Sequence, residues 1–272
     1  MISRESSITV VIPVWDDYVA FLPDAVDSIR RDAPDAAVVV VDNASRVTVP
    51  ELPGTSVVRA PQRLSVGAAR NLGVWRANTE YIVVLDADDK LLEGTLGFLE
   101  SRMRADDSLS ACATSLLEGD TGRRHRTPRR FVPALSRLRR VFALAHCVWS
   151  LYPIQGCTLM RTEQVRAAGG YADAGWGDDW VLAVSLAFRG RIEVHRRLGL
   201  IYRGTHGSLW RTPKRSSELV ASARLVRDRI RSDPAAGRGV KAALPLLAAL
   251  QLAAVYVLRP AFLAARRLRR TS

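Results

Sequence analysis

The chain has 272 residues, 48% of them hydrophobic, and a formal net charge of +13. That length can bury one large core, or one core with an appendage, and that hydrophobic share excludes a disordered chain. The charge is unevenly spread: through Gly122 there are 11 Lys and Arg against 19 Asp and Glu, and from Arg123 onward 29 against 8. The basic excess is therefore a local feature with its own explanation. Cys112, Cys147 and Cys157 have no paired spacing, which argues against a disulfide framework or a zinc site and fits a reduced, cytosolic setting. The opening MISRESSITVVIPVWDD has an apolar run that stops at Val14, so it reads as a first strand and not as a signal peptide.

Ile8 to Val14 reads as a buried strand, and Tyr18 to Arg31 as a helix with Phe21, Ala25 and Ile29 at a spacing of four. Ala37 to Val41 is a second buried strand, ending at Asp42 and Asn43, and Ser56 to Arg59 a short third one. Ser65 is placed to cap a helix running through Ala77, with Ala68, Leu72 and Trp75 on one face. Tyr81 to Leu85 is a run of strand formers that ends in Asp86, Asp88 and Asp89. A helix over Leu91 to Arg104 and a strand over Leu109 to Ser115 follow. Alternating strands and helices predict a mostly parallel sheet with helices on both faces. Ligands of such sheets sit at the carboxyl ends of the strands, so Asp42 and Asp86 should converge on one crevice.

After Gly122 the rhythm breaks. No acidic residue lies between Asp120 and Glu163, a stretch holding nine Arg. Regular structure resumes at Cys157 to Met160, with a short helix at Glu163 to Ala168 and a turn at Gly169-Gly170. In GWGDDWVLAVSLAF, Trp180, Ala183, Val184 and Ala187 share a helical face, and Asp178 and Asp179 stand at its N-terminus, where the helix dipole favours anions. Glu193 to Arg203 reads as extended and Ser216 to Ile230 as a charged surface helix. Ala242 to Leu258 is uncharged for 17 residues, at the lower edge of a spanning helix. Pro245, Gln251 and the basic flanks favour an interfacial or re-entrant helix pair over a single span; a helix packed on the chain's own domain is the plain alternative.

Carboxylates at the mouth of a buried strand repel unless a cation, a partner or open water relieves them. Two of them one residue apart can share a divalent ion that also holds phosphate oxygens, although a solvated turn would look the same. The ordered set ITVVIPVWDD, VVVVDNAS, SVGAARNLGV, IVVLDADDKL, GGYADAGWGDDW and YRGTHGSL resembles the family 2 glycosyltransferases, over roughly residues 7 to 210. The resemblance implies the GT-A fold: an α/β, Rossmann-like domain at 1-210, with a nucleotide-sugar half at 1-122 and an acceptor half at 123-210. Amphipathic and hydrophobic helices at 211-272 would then form a membrane-associating extension.

The resemblance also implies site roles. Pro13 and Trp15 would contact the nucleoside, Asp42 the base, Arg70 and Asn71 the nucleotide, and Asp86 the ribose. Asp88 and His206 would hold a divalent ion, Mg or Mn, with Asp89 in support. Asp179 would be the catalytic base, next to Asp178 where the family more often has Glu. The family also more often has Asp at Asn43 and Gly at Ala44. Arg203 would contact phosphate, Trp176 would stack on a sugar ring, and Trp180 reads as a structural tryptophan of the helix face. A hydroxyl attacking an anomeric carbon needs a carboxylate base, and a diphosphate leaving group needs cationic stabilisation. The expected reaction is inverting transfer from a nucleoside-diphosphate sugar, UDP- or dTDP-linked, to a glycan or polyprenyl-phosphate-linked acceptor.

Arg123, Arg124, Arg126, Arg129 and Arg130 lead into RFVPALSRLRRVFALAHCVW, which mixes Arg with Phe131, Leu135, Leu138, Phe142 and Trp149. That mixture suits an anionic membrane surface, and the absence of any nucleic-acid module argues against DNA or RNA. A peripheral or monotopic protein on the cytoplasmic face of the plasma membrane is expected. The alternatives are a sugar nucleotidyltransferase, whose Gly-rich loop after the first strand is missing here, and a catalytically silent scaffold.

Overall fold

The structure, a computed structural model, describes residues 6–119, 131–152, 156–203 and 214–258. Strand β1 (Ile8–Val14) is buried along its whole length and pairs in parallel with β2 (Ala37–Asp42) and β4 (Tyr81–Val84). Strand β3 (Thr55–Arg59) adds in parallel to β2 and closes that edge of the sheet. The Val-rich runs of β1 and β2 fit this placement, because a strand covered on both faces has no polar side to show.

A 3₁₀ turn over Asp16–Phe21 precedes α1 (Leu22–Asp32). The single helix expected from Tyr18 divides there because Pro23 lacks an N–H and is tolerated only in a first helical turn. Helix α2 (Val66–Val74) is capped as expected, with the Ser65 hydroxyl accepting from the Ala68 N–H at 3.2 Å. A methyl group on Gly73 would lie 2.2 Å from Val11 Cγ1, so α2 rests directly on β1.

Beyond β4 come a two-residue strand β5 (Lys90–Leu91), α3 (Thr95–Ala105), β6 (Leu109–Glu118), β7 (Thr158–Arg161) and β8 (Arg191–Tyr202). The helix expected from Leu91 begins later, because Lys90 and Leu91 are taken into the sheet opposite Ile201 and Leu200. Gly94, at φ 74°, then redirects the chain into α3. The strand order is β3-β2-β1-β4-β7-β6-β8-β5. The first four strands in that order are parallel, β6 and β8 are parallel, and β7 and β5 run against their neighbours. This is the expected α/β architecture, with helices packed on a mixed central sheet.

The remaining helices are α4 (Val132–Ser136), α5 (Arg139–Val148), α6 (Thr162–Ala167), α7 (Asp178–Arg189), α8 (Ser216–Ser232), α9 (Arg238–Ala242) and α10 (Leu244–Ala253); a π-helical turn, Ala254–Leu258, follows. A second cluster of buried side chains joins α7, α8 and α10 through Trp180, Val184, Val226, Ile230, Leu244 and Leu247. Helix α8 is thus more than a charged surface helix: Ser222, Ala223, Val226 and Ile230 form a buried stripe at helical spacing. Helix α10 packs one face on α8 and α5. Among the described residues no helix is long and apolar enough to cross a membrane.

Candidate active site

The crevice forms where β2, β1 and β4 end. Asp42, the last residue of β2, is buried; its Oδ1 accepts from the Ser45 N–H at 2.8 Å and its Oδ2 pairs with Arg59 Nη1. Arg59, at the end of edge strand β3, also donates through Nη2 to the Ser45 carbonyl at 3.1 Å. Asn43 uses both ends of its amide on the Leu64 backbone, at 3.1 and 2.8 Å, and so holds the loop that leads to α2. Ala44 is left-handed, at φ 49°, a conformation that glycine adopts without strain. Pro13 is inside β1, paired with Val41. Trp15 follows β1, with Tyr18 5.0 Å away on one side and the Arg63 guanidinium 4.9 Å over its ring.

At the end of β4, Asp88 and Asp89 are buried while the Asp86 side chain is about one-third exposed, at 34%. The Asp89 N–H donates to the Asp86 carbonyl at 2.9 Å and closes the turn. Asp89 Oδ1 in turn accepts from the Arg203 N–H at 3.3 Å. Burial, and then the negative charges of Asp86 and Asp88, push the Asp89 carboxyl well above the usual range. The Arg203 guanidinium is directed to Asp24, at 2.9 Å, and lies over the Phe21 ring at 5.2 Å; Lys90 reaches the same Asp24 oxygen at 2.7 Å.

The third wall is the N-terminus of α7. Gly177, at φ 79°, turns the chain into this helix, and any side chain there would meet Ser222. Asp178 is buried and accepts from Arg70 Nη1 at 2.9 Å, while Arg70 Nη2 donates to Asp86 Oδ1 at 2.8 Å. Arg70 therefore ties the end of β4 to the start of α7. Asp179 Oδ1 accepts from the Trp180 N–H at 2.8 Å. Burial first, and the neighbouring Asp178 second, push the Asp179 carboxyl up to about 7. Trp180 is buried and donates from its indole to the His146 carbonyl at 2.6 Å, in keeping with a structural role. Trp176 is half-buried, with the Lys214 ammonium 4.3 Å from its ring.

Asn71 has a place of its own. Its amide accepts from the Tyr171 N–H at 2.8 Å and donates to the Tyr171 carbonyl at 2.9 Å, which clasps the turn before α7 onto α2. A methyl group on Gly170 would come within 2.3 Å of that amide. The structure thus brings Asp86, Asp88, Asp89, Arg70, Asp178 and Asp179 together, with Asp42 and Trp15 on neighbouring strand ends. His206 lies outside the described residues. Arg59 was missed by the sequence reading, since a lone Arg closing a weak edge strand carries no signal of its own.

The donor set at the end of β4 is all hard oxygen, in surroundings with excess negative charge, and this fits Mg or Mn. Among the described residues, the only three Cys, His or carboxylate side chains whose ligand atoms all lie within 4.8 Å of one another are Cys112, Glu193 and His195. The β4 carboxylates do not by themselves make such a three-ligand group. The Cys112 group is a poor cation site, because Arg102 engages both Glu193 oxygens at 3.1 Å.

Residues 9–166, more than half of the chain, match the family model for glycosyl transferase family 2. The chain belongs to that family. Among curated relatives, this glycosyltransferase is 25% identical over 226 residues to the succinoglycan biosynthesis protein ExoO of Rhizobium meliloti (strain 1021). The match covers 77% of the chain and 64% of that relative, so the chain spans just under two thirds of its length. Among solved structures, S. aureus TarS 1-349 in complex with UDP-GlcNAc superposes with a TM-score of 0.65 at 14% identity, covering 91% of this chain and 72% of that one. The mannosyltransferase PcManGT from Pyrobaculum calidifontis, in complex with GDP-Man and Mn2+, gives 0.59 at 17% identity, covering 99% and 81%. At these identities the structural likenesses establish the fold.

Proposed function

We propose that this glycosyltransferase moves a sugar from a nucleoside-diphosphate sugar to an acceptor hydroxyl with inversion, using Asp179 as the base. The observation that carries the reading is the Arg70 bridge, 2.8 and 2.9 Å long, between Asp86 and Asp178. It fixes the α7 acids beside the β4 carboxylates. Asp179 takes the proton of the acceptor hydroxyl as that oxygen attacks the anomeric carbon, and a carboxyl near 7 is well matched to this work. A single displacement of this kind inverts the anomeric centre. When bound at Asp88, a divalent ion supplies charge neutralisation for the departing diphosphate. His206 would join Asp88 at that ion, Asp86 takes the ribose, and Trp176 offers a face to a sugar ring; the Arg203 guanidinium, expected at the phosphates, is instead engaged by Asp24.

Asp42 and Arg59 together offer an acceptor beside a donor. That pair can meet the adjacent N–H and C=O of uracil or thymine, with Pro13 and Trp15 against the nucleoside. Complexes of structural neighbours with UDP-GlcNAc and GDP-Man support donors of this class. ExoO, named for succinoglycan biosynthesis, supports a growing glycan as the acceptor; a polyprenyl-phosphate-linked acceptor and peripheral attachment at the cytoplasmic membrane face are proposed with it, from the basic, apolar C-terminal segment. Family membership favours this reading over nucleotidyl transfer.

The test is calorimetric titration of the protein with UDP, dTDP and GDP, with and without Mn, repeated on Asp88→Asn. Binding of at least one nucleotide that needs the metal and disappears in the variant is expected. A folded protein that binds none of the three would remove the donor-site assignment.

A further inference from the structure

Helix α10 and the π-helical turn after it carry their polarity reversed. Between Leu244 and Val257 the only polar side chains are Gln251 and the Tyr256 phenol. Gln251 points inward: its Nε2 donates to the Cys147 carbonyl of α5 at 2.8 Å, its Oε1 accepts from Arg227 of α8, and it is 2% exposed. Leu246, Leu250, Leu252, Tyr256 and Val257 point outward and are 44% to 63% exposed. A helix that meets water on its outer side shows the opposite arrangement. Helix α5, tied to α10 by the Gln251 bond, likewise exposes Val141 and Leu144 next to Arg139 and Arg140. Of the twelve exposed large apolar side chains among the described residues, nine lie in 131–144 and 246–257, so this is a concentrated surface and not scatter.

Charge selects the occupant. No Asp or Glu follows Asp233 in the sequence, while seven Lys and Arg do, and the acid-free stretch from 121 to 162 contains α5. A second copy docked on this face would set cation against cation. An anionic lipid surface offers both the opposite charge and an apolar phase for the leucines. We propose that the outward face of α10 and its π-helical turn, together with the exposed apolar side chains of α5, seats this protein on an anionic lipid surface. The inference deepens the peripheral attachment proposed above and does not depend on the donor site.

The experiment is co-sedimentation of the 272-residue chain with phosphatidylcholine vesicles and with vesicles containing about 30% phosphatidylglycerol, at low and high salt. Leu250→Asp/Val257→Asp is compared with Val57→Asp, a control on edge strand β3 that is also exposed. UDP, dTDP and GDP titration and a thermal melt accompany each variant. Binding to the anionic vesicles, weakened by salt, should fall about tenfold or more in the double variant and stay unchanged in the control. Nucleotide binding and melting should hold in all three. Unchanged vesicle binding in the double variant overturns the proposal. So does a wild-type protein that ignores vesicles, whether it is a dimer that the double variant splits or a monomer whose face residues 259–272 cover. Loss of nucleotide binding with vesicle binding intact would remove the donor-site reading and leave this surface standing.

Discussion

Two arginines, Arg189 and Arg70, are used in opposite ways. Arg189, in the last turn of α7, meets Asp233 through both guanidinium ends, at 2.6 and 2.8 Å, and spends its other contacts on the carbonyls of Ser185 and Ala167. One cation faces one anion, and the pair fastens α7 to the segment after α8. Arg70, in α2, faces Asp86 and Asp178 with Asp179 close by, and its buried Nε has no partner. One cation is set among more anions than it can neutralise. The first pair is satisfied as it stands, whereas the second leaves buried carboxyls whose pKa values are pushed up by burial and by one another. A buried ion pair that closes on itself belongs to the fold, and one left with surplus charge marks a site.

The largest expected effect strikes the site alone. Asp179→Asn should lower kcat by about 10²- to 10⁴-fold, the range of general-base catalysis, with nucleotide affinity and melting temperature retained. Calorimetry alongside steady-state rates checks this, and a matching loss of nucleotide affinity would reassign Asp179 to the donor.

Breaking each arginine separates the two cases. Arg189→Met leaves Asp233 buried and unpaired, which should cost roughly 3–5 kcal/mol of stability in chemical denaturation, with KM for the donor near its original value. Arg70→Met should cost stability on the same scale and also remove activity, because the α7 acids lose their tie to β4. If Arg70→Met keeps full kcat at a temperature where it is folded, the bridge is only structural. Next in size, Arg59→Ala should weaken nucleotide binding about tenfold in calorimetry, as expected for one hydrogen bond to a charged group.

The smallest effect is in pH. With Asp179 near 7, kcat should climb as pH rises through about 7 and then level off, because only the ionised form accepts the proton. Stability runs the other way. Asp179 holds its proton more tightly folded than unfolded, so its contribution is fully present below about pH 4 and is lost as pH rises toward 7. Asp178, raised by burial against the pull of Arg70, acts in the same direction. A rate profile and a denaturation series across that window give both slopes, and a flat rate profile would remove Asp179 as the base.

The sequence made much of this visible wherever the signal is local. The Tyr81–Val84 strand opening into Asp86, the Ser65 cap and the acids at the start of α7 all follow from neighbours a few residues apart. What stayed hidden depends on distant partners. Strand β7 lies where regular structure was expected, but that it runs against both β4 and β6 is set by those distant partners. Asn71 reads as a nucleotide contact until its amide is seen closed on Tyr171, a partner 100 residues away. Lys90 and Leu91 begin an apparent helix in sequence, yet they are a strand because β8 reaches them. The apolar 242–258 stretch was plain, but which of its faces turns inward is set by Cys147 and Arg227 and not by its own pattern.

The pairing of β5 with the end of β8 has a consequence for biosynthesis. Asp89 is anchored by the Arg203 amide, 114 residues downstream, and Lys90 and Leu91 find their strand partners only in Leu200 and Ile201. On the ribosome, at about 5–20 residues per second, the carboxylate turn waits roughly ten seconds before the segment that locks it has been made. The nascent amino-terminal half therefore emerges with three aspartates at an unfinished sheet edge, and the crevice takes shape only after Arg203, the 203rd of 272 residues, has been made.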